Sequence, residues 1–113
     1  MVKGMHAVAA TPELTRGEMA RRAGDVAVLL KTLAHPVRLM LACTLAEGEY
    51  SVGALEDKLS IHQPTLSAQL TVLRVADIVE TRREGKQIFY RLSEKKAAAL
   101  IEALYEIFCK DGD

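Results

Sequence analysis

Apolar residues in the first part of the chain recur every three or four positions, the spacing of one face of an α-helix. This pattern runs from Leu14 to about Leu33 and predicts a first amphipathic helix. Pro36 suits the first turn of a second helix, because its missing N–H would have no partner there, and Gly48 should end that helix. The sequence thus begins with two consecutive helices.

Two shorter helices follow around a tight turn. Ser51 is a plausible N-cap for a helix that reaches Leu59, and residues 60–62 form the connection. The next helix begins at Gln63, and its apolar stripe consists of Leu66, Leu70 and Leu73. Two short helices joined by about three or four residues are typical of a helix-turn-helix.

The hydrophobic period then changes from that of a helix to that of a strand. Residues 78–83 and 87–92 are rich in branched and aromatic side chains, and 84–86, with Gly85 at the centre, lies between them. This arrangement predicts a β-hairpin. A last helix opens after Ser93. The predicted fold is mainly α with a β-hairpin wing, a winged helix-turn-helix in the order α-α-α-α-β-β-α.

The length of 113 residues fits one domain. Residues 1–12 are small, polar and aperiodic, which predicts a flexible N-terminal arm before a DNA-binding and dimerisation domain over 13–110. Covering an apolar face in a dimer would help so small a core. No apolar run approaches ~18 residues, and the start lacks a signal segment, so we expect a cytoplasmic protein with no membrane partner.

The formal net charge is zero, with 15 basic and 15 acidic residues, which by itself argues weakly against nucleic acid. The positions of the charges change this picture. Basic residues concentrate around the predicted hairpin, at Arg74, Arg82, Arg83, Lys86 and Arg91. Acidic residues gather towards the C-terminus. A neutral total can therefore hide one basic face.

The helix that begins at Gln63 has a candidate DNA-reading surface. Its leucine stripe turns the opposite face outward, where small and polar residues lie: Pro64, Ala68 and Thr71, flanked by Thr65 and Ser67, with Gln63 and Gln69 nearer the rim. Gln pairs well with adenine, and Ser or Thr can bind phosphates. The alternative is an ordinary solvated helix beside a charged hairpin. The motif order and local charge together favour double-stranded DNA as the partner.

Three segments, 33–39, 63–67 and 82–92, resemble the ArsR/SmtB family of repressors, and the likeness spans about residues 16–110. The resemblance implies a winged-helix homodimer, joined through its first and last helices, that represses promoters until an inducer binds. It also implies DNA-binding positions. By matching positions, the recognition helix contributes Gln63, Thr65, Ser67 and Gln69, and the wing contributes Arg82, Arg83 and Lys86.

Many members of that family sense metals, so we searched for metal ligands. The family's Cys-x-Cys motif would fall within 50–55, where no thiol stands, and the last helix has no His. His6, His35 and His62 are scattered, and two Cys alone cannot complete a tetrahedral zinc site. We expect no metal and no other cofactor. The alternative is a metal-responsive repressor with a Cys-based thiophilic site.

Cys43 and Cys109 are the two thiols of the chain. The residues alone leave two interpretations open, because cysteines pack as small hydrophobes as readily as they form a redox pair. Segments 29–45 and 103–109 resemble the BigR/SqrR subgroup. This likeness implies that Cys43 and Cys109 become linked within one protomer by a disulfide or polysulfide, and that reactive sulfur species act as inducer for sulfide-detoxification genes.

Two other classes of function are less consistent with the sequence. A thiol enzyme would need a base beside its Cys, and no His is near either thiol in the sequence. A winged helix that binds only protein would not need basic residues on its wing. We therefore expect no catalytic residues.

Overall fold

The computed structural model describes residues 13–93 and 96–108. Its elements, in chain order, are α1 (Arg16–Leu33), α2 (Pro36–Leu45), β1 (Tyr50–Ser51), α3 (Val52–Leu59), α4 (Gln63–Val75), β2 (Val79–Glu84), β3 (Gln87–Leu92) and α5 (Lys96–Phe108). The predicted order of four helices, a hairpin and a closing helix is confirmed. The predicted arm at 1–12 lies outside the described residues.

Side-chain caps fix where the first two helices begin. Thr15 accepts a hydrogen bond from the Glu18 N–H, and the Glu18 carboxylate accepts from the Thr15 N–H, which together form a capping box before α1. His35 caps α2 with Nδ1, which accepts from the N–H groups of Val37 and Arg38. His35 therefore has a structural role, the interpretation favoured by its place at a helix start.

The helix-turn-helix is formed by α3 and α4. The Ser51 hydroxyl accepts a hydrogen bond from the Ala54 N–H, so the predicted N-cap is confirmed. Helix α3 ends at Leu59, its C-cap Ser60 has a left-handed backbone with φ of 57°, and the chain re-enters a helix at Gln63. Three residues therefore connect the two helices.

The sheet has three antiparallel strands in the order β1-β3-β2. The hairpin closes with Glu84 opposite Gln87, so its turn is two residues rather than the predicted three, and Gly85 takes the left-handed φ of 65° that this tight turn needs. The sequence did not reveal β1. Its two residues pair with β3 and join the start of α3 to the wing, but they are too few to show a period.

The core lies between α4 and the elements around it. Its fully buried large side chains come from five elements and the loop before β2: Leu41, Leu55, Leu66, Leu70, Leu73, Ile78, Val79 and Ile101. The predicted leucine stripe of α4 is therefore confirmed as its inner face. Every packed neighbour of α4 contributes an aliphatic side chain to this cluster.

The apolar residues of α1 and α5 are partly exposed to solvent, whereas the leucines of α4 are buried. On α1 only Leu33 is buried, while Met19, Val26 and Leu30 are exposed. Ile107 and Phe108 on α5 are 70% and 71% exposed. Among the described residues no single helix is long and apolar enough to cross a membrane; α1 and α2 reach that length only together, across a 100° bend.

The position of Leu73 in the core gives a test of this fold. Leu73 is fully buried, so Leu73→Ala should lower the free energy of unfolding by about 3 kcal/mol, through lost burial and the cavity left behind. Val75→Ala on the same helix should change it by less than about 0.5 kcal/mol, because Val75 is 76% exposed. Urea denaturation at fixed protein concentration measures both. Equal losses for the two variants would contradict the described orientation of α4.

Candidate DNA interface and thiol site

The outer face of α4 is polar and carries no large apolar residue near its N-terminus. Gln63, Pro64 and Thr65 are exposed, and Ser67 is half-buried. Thr71 is exposed as well, but its hydroxyl donates to the Ser67 carbonyl at 2.9 Å. The first turns of α4 thus present hydrogen-bonding side chains to solvent on a helix that the core holds in place.

Gln69 lies at the edge of this exposed face, one turn beyond Thr65. Its side chain is half-buried, and its Oε1 accepts a hydrogen bond from Arg38 Nη1 at 2.8 Å. The sequence predicted Gln69 at the rim of the DNA-reading face, but the structure places its carbonyl oxygen at the junction of α2 and α4. Sequence reasoning did not single out Arg38, although Arg38 stands in segment 33–39 of the family resemblance.

The three predicted wing cations differ in their surroundings. Arg83 and Lys86 are exposed, and neither forms an ion pair within the described parts of the chain. Arg82 instead contacts two carboxylates, Glu49 at 2.8 Å and Glu84 at 3.2 Å. Its guanidinium also lies 4.8 Å from the ring centre of Phe89. Arg83 and Lys86 are therefore available to a ligand, whereas Arg82 is already paired with carboxylates of this chain.

The contact between Arg82 and Glu49 changes how both groups ionise. The hydrogen bond from Arg82 holds the pKa of the Glu49 carboxyl below its ordinary value, and Glu49 and Glu84 raise the pKa of Arg82. The Glu49 carboxylate therefore remains ionised beside the guanidinium at neutral pH and offsets its positive charge. Because the groups are exposed, water screens this interaction and limits its contribution to stability.

A fourth cation of the predicted basic cluster is paired across the sheet. Arg91 Nη2 lies 2.7 Å from Glu80 Oε2, and these residues are direct partners in the register of β2 and β3. Cross-strand partners of opposite charge attract each other because their side chains lie on the same face of the sheet. The basic surface is therefore narrower than the count of basic residues predicted.

Cys43 lies on α2, on the side that faces α5, and only 9% of it is exposed. Beside it is an apolar cavity of about 430 Å³ lined by Pro36, Leu39, Met40, Cys43, Leu104 and Phe108. A second cavity of about 180 Å³ touches Cys43 from another side, with Tyr105 and Glu47 in its lining. A small molecule that enters either cavity can therefore reach this residue.

The second predicted thiol, Cys109, lies outside the described residues. In the sequence it directly follows Phe108, which ends α5 and lines the larger cavity together with Cys43. Across residues 13–93 and 96–108, no three His, Cys, Asp or Glu side chains come together as a metal site.

Comparison with known proteins identifies the family. The sequence model described as "Bacterial regulatory protein, arsR family" matches residues 35–81. The chain is 72% identical over 97 residues to the biofilm growth-associated repressor of Agrobacterium fabrum, a match that covers 86% of this chain and 83% of that protein.

Solved structures agree with this assignment. The crystal structure of the transcriptional repressor BigR from Xylella fastidiosa has a TM-score of 0.83 and 66% identity, over 88% of this chain and 98% of the other. A homodimeric winged helix-turn-helix DNA-binding domain, Mb0332 from Mycobacterium bovis, has a TM-score of 0.67 and 33% identity, over 86% and 87% of the two chains. The chain belongs to the ArsR family of bacterial regulatory proteins, and it is a winged-helix transcriptional regulator rather than an enzyme.

Proposed function

We propose that this chain is a homodimeric repressor that binds operator DNA through α4 and the wing, and that linkage of Cys43 to Cys109 releases it. The observation that carries the DNA-binding part is the exposed polar start of α4 beside Arg83 and Lys86, two wing cations that form no ion pair with any residue that the structure describes. The observation that supports the thiol part is the position of Cys43 on the side of α2 that faces α5.

The recognition surface follows from how α4 is held. Its leucines are buried in the core, so Thr65 projects outward, and Gln63 is exposed at the rim of the first turn, the part of a recognition helix that enters the major groove. Gln63 has the donor and acceptor that adenine requires, and Thr65 and Ser67 can donate to phosphates. Arg83 and Lys86 then contact the backbone beside the groove. Gln69 keeps its contact with Arg38 and has a supporting role.

The dimer follows from the uncovered apolar faces of α1 and α5. A second copy placed against these faces would remove Met19, Val26, Leu30, Ile107 and Phe108 from water. A symmetric pair would carry two copies of α4, which fit half-sites about one DNA turn, ~34 Å, apart. The homodimeric relative Mb0332 supports the same assembly for this chain.

The switch uses the chemistry of sulfane sulfur. The thiolate of each Cys takes a sulfur atom from a persulfide donor and releases the donor's thiol. One Cys persulfide then displaces hydrogen sulfide from the other, which leaves a trisulfide between the two residues. If only one Cys carries the added sulfur, the second thiolate displaces hydrosulfide and leaves a disulfide. Either bridge would tie α2 to the end of α5.

The resemblance of segments 29–45 and 103–109 to the BigR/SqrR subgroup supports reactive sulfur species as the inducer and sulfide-detoxification genes as the target. In this proposal the repressor acts in the cytoplasm, where its DNA is. The domain proposed to bind DNA and to dimerise spans residues 13–110.

The dimer can be tested by a charge on its apolar face. Ile107→Asp should convert the protein from dimer to monomer at micromolar concentration, because each interface would bury an unpaired carboxylate. Val75→Asp, at an equally exposed apolar residue on α4, should leave the dimer intact. Sedimentation equilibrium of both variants measures this. A dimeric Ile107→Asp protein would place the interface elsewhere.

The wing can be tested by the salt dependence of operator binding. Arg83→Ala and Lys86→Ala should each reduce the slope of log K against log salt concentration by about 0.9, the value for one lost phosphate contact. Arg82→Ala should change the slope much less, because Glu49 and Glu84 already offset its charge. Fluorescence anisotropy across a salt series gives the slopes. A full unit lost in Arg82→Ala alone would reverse this assignment of the cations.

The thiol switch can be tested by persulfide-induced release of operator DNA. Wild type should dissociate, whereas Cys43→Ala and Cys109→Ala should each stay bound with their reduced-state affinity, because neither can form the bridge. Chelators should leave the reduced protein bound. Normal release of either variant would exclude the paired-thiol mechanism. Release by zinc or copper, with none by persulfide, would establish the metal-responsive alternative.

A further inference from the structure

The guanidinium group of Arg38 joins three helices. Its Nε donates a hydrogen bond to the Thr32 carbonyl in the last turn of α1, at 2.6 Å. Its Nη1 donates to Gln69 Oε1 in the middle of α4, at 2.8 Å. Arg38 itself is half-buried in the first turn of α2. One side chain therefore connects the first helix, the helix that carries Cys43, and the recognition helix.

The local structure holds Arg38 firmly in this place. The Thr32 carbonyl belongs to the end of α1, where carbonyls lack partners within the helix and a cation is favoured by the helix dipole. Arg38 also stands in the capped first turn of α2, where its N–H lies 3.5 Å from His35 Nδ1. A planar guanidinium anchored at Nε has little freedom left, so its Nη1 specifies where Gln69 must lie.

We propose that Arg38 is the positioning residue through which α2 sets the orientation of α4, and that Gln69 receives this contact instead of reading bases. The proposal rests on the proposed function in one respect: the linkage of Cys43 to Cys109 is the event that moves α2. It adds the path by which that signal reaches the DNA-binding surface, from Cys43 along α2 to Arg38 and then to Gln69.

The geometry of α2 suits such a transfer. Cys43 lies about 1.4 helical turns beyond Arg38 and is rotated from it by about 140° around the helix axis. The thiol accordingly faces α5, while the guanidinium faces α1 and α4. A bridge that pulls α2 towards α5 therefore moves Arg38 relative to Gln69.

The hydrogen bond between Arg38 and Gln69 is more sensitive to such a movement than the surrounding apolar contacts are. Burial of leucine side chains between α2 and α4 is non-directional and tolerates small sliding motions. The bond at 2.8 Å loses most of its strength once its atoms move beyond about 3.5 Å. A displacement of about 0.7 Å between these two atoms is therefore enough to release α4 from this constraint.

The test compares Arg38→Met, Gln69→Met, the double variant and Gln69→Glu with wild type, by operator affinity before and after persulfide treatment. Gln69→Glu is the matched control, because it keeps an oxygen for Arg38 while it removes the amide donor that adenine recognition needs. The ratio of the two affinities for each variant cancels the effect of its added charge on DNA binding. A panel of operators with single base changes reports sequence preference.

In the reduced state, each Met variant should bind operator about three- to tenfold more weakly, and the double variant should be no weaker than Arg38→Met within about twofold. The ranking of the operator panel should not change. The persulfide-dependent ratio should fall by about three- to tenfold in both Met variants and should stay at the wild-type value in Gln69→Glu.

Two results would overturn the proposal: a changed base preference at one operator position in Gln69→Met, or wild-type ratios in both Met variants. If wild type does not respond to persulfide, the proposed function fails, while the reduced-state cycle and the operator panel still decide the role of Arg38. Thermal unfolding checks that the variants fold. If Arg38→Met does not, Arg38→Lys replaces it, and the loss of one of its two contacts should give an intermediate reduction.

Discussion

Burial of one stripe of α4 is the constraint on which the rest of this structure depends. Leu66, Leu70 and Leu73 are fully buried among side chains from the other helices and from the start of β2. Because the stripe fixes the rotation of α4 about its axis, the opposite face must meet solvent. Pro64 and Thr65 are exposed for that reason, while Gln63, nearer the rim, is exposed at the first position of the helix. Packing of the core thus decides which side chains can reach DNA, without any contribution from DNA itself.

The basic residues fall into two groups, those that contact other residues of this chain and those that remain exposed. Arg82 and Arg91 are held by carboxylates across the wing and its base, and Arg38 is held by a carbonyl and an amide oxygen. Arg83 and Lys86 remain exposed at the tip of the hairpin. A chain with zero formal net charge can therefore present a local positive surface to phosphates, because its acidic residues neutralise other cations.

Local patterns in the sequence predicted the helices and the hairpin, but they did not predict which side chains pair across distant parts of the chain. The leucine period gave the inner face of α4, Ser51 gave the start of α3, and the run before Gly85 gave the hairpin, because these features depend on neighbours in the chain. The partners of Arg82 and Gln69 depend on packing between separate elements, Glu49 in the loop before β1 and Arg38 on α2. The register that pairs Arg91 with Glu80 follows only from the length of the turn.

The central claim is that one chemical event between two helices controls one DNA-binding surface. In the proposal, Cys43 is one of the two reacting thiols, and the structure places it on α2 beside an apolar cavity that α5 also lines. The most direct measurement combines intact mass and operator binding on a single persulfide-treated sample. The account predicts a protomer that has lost two hydrogen atoms, with or without added sulfur, and that no longer binds operator. Bridged protomers that still bind operator with the affinity of the reduced protein would contradict it.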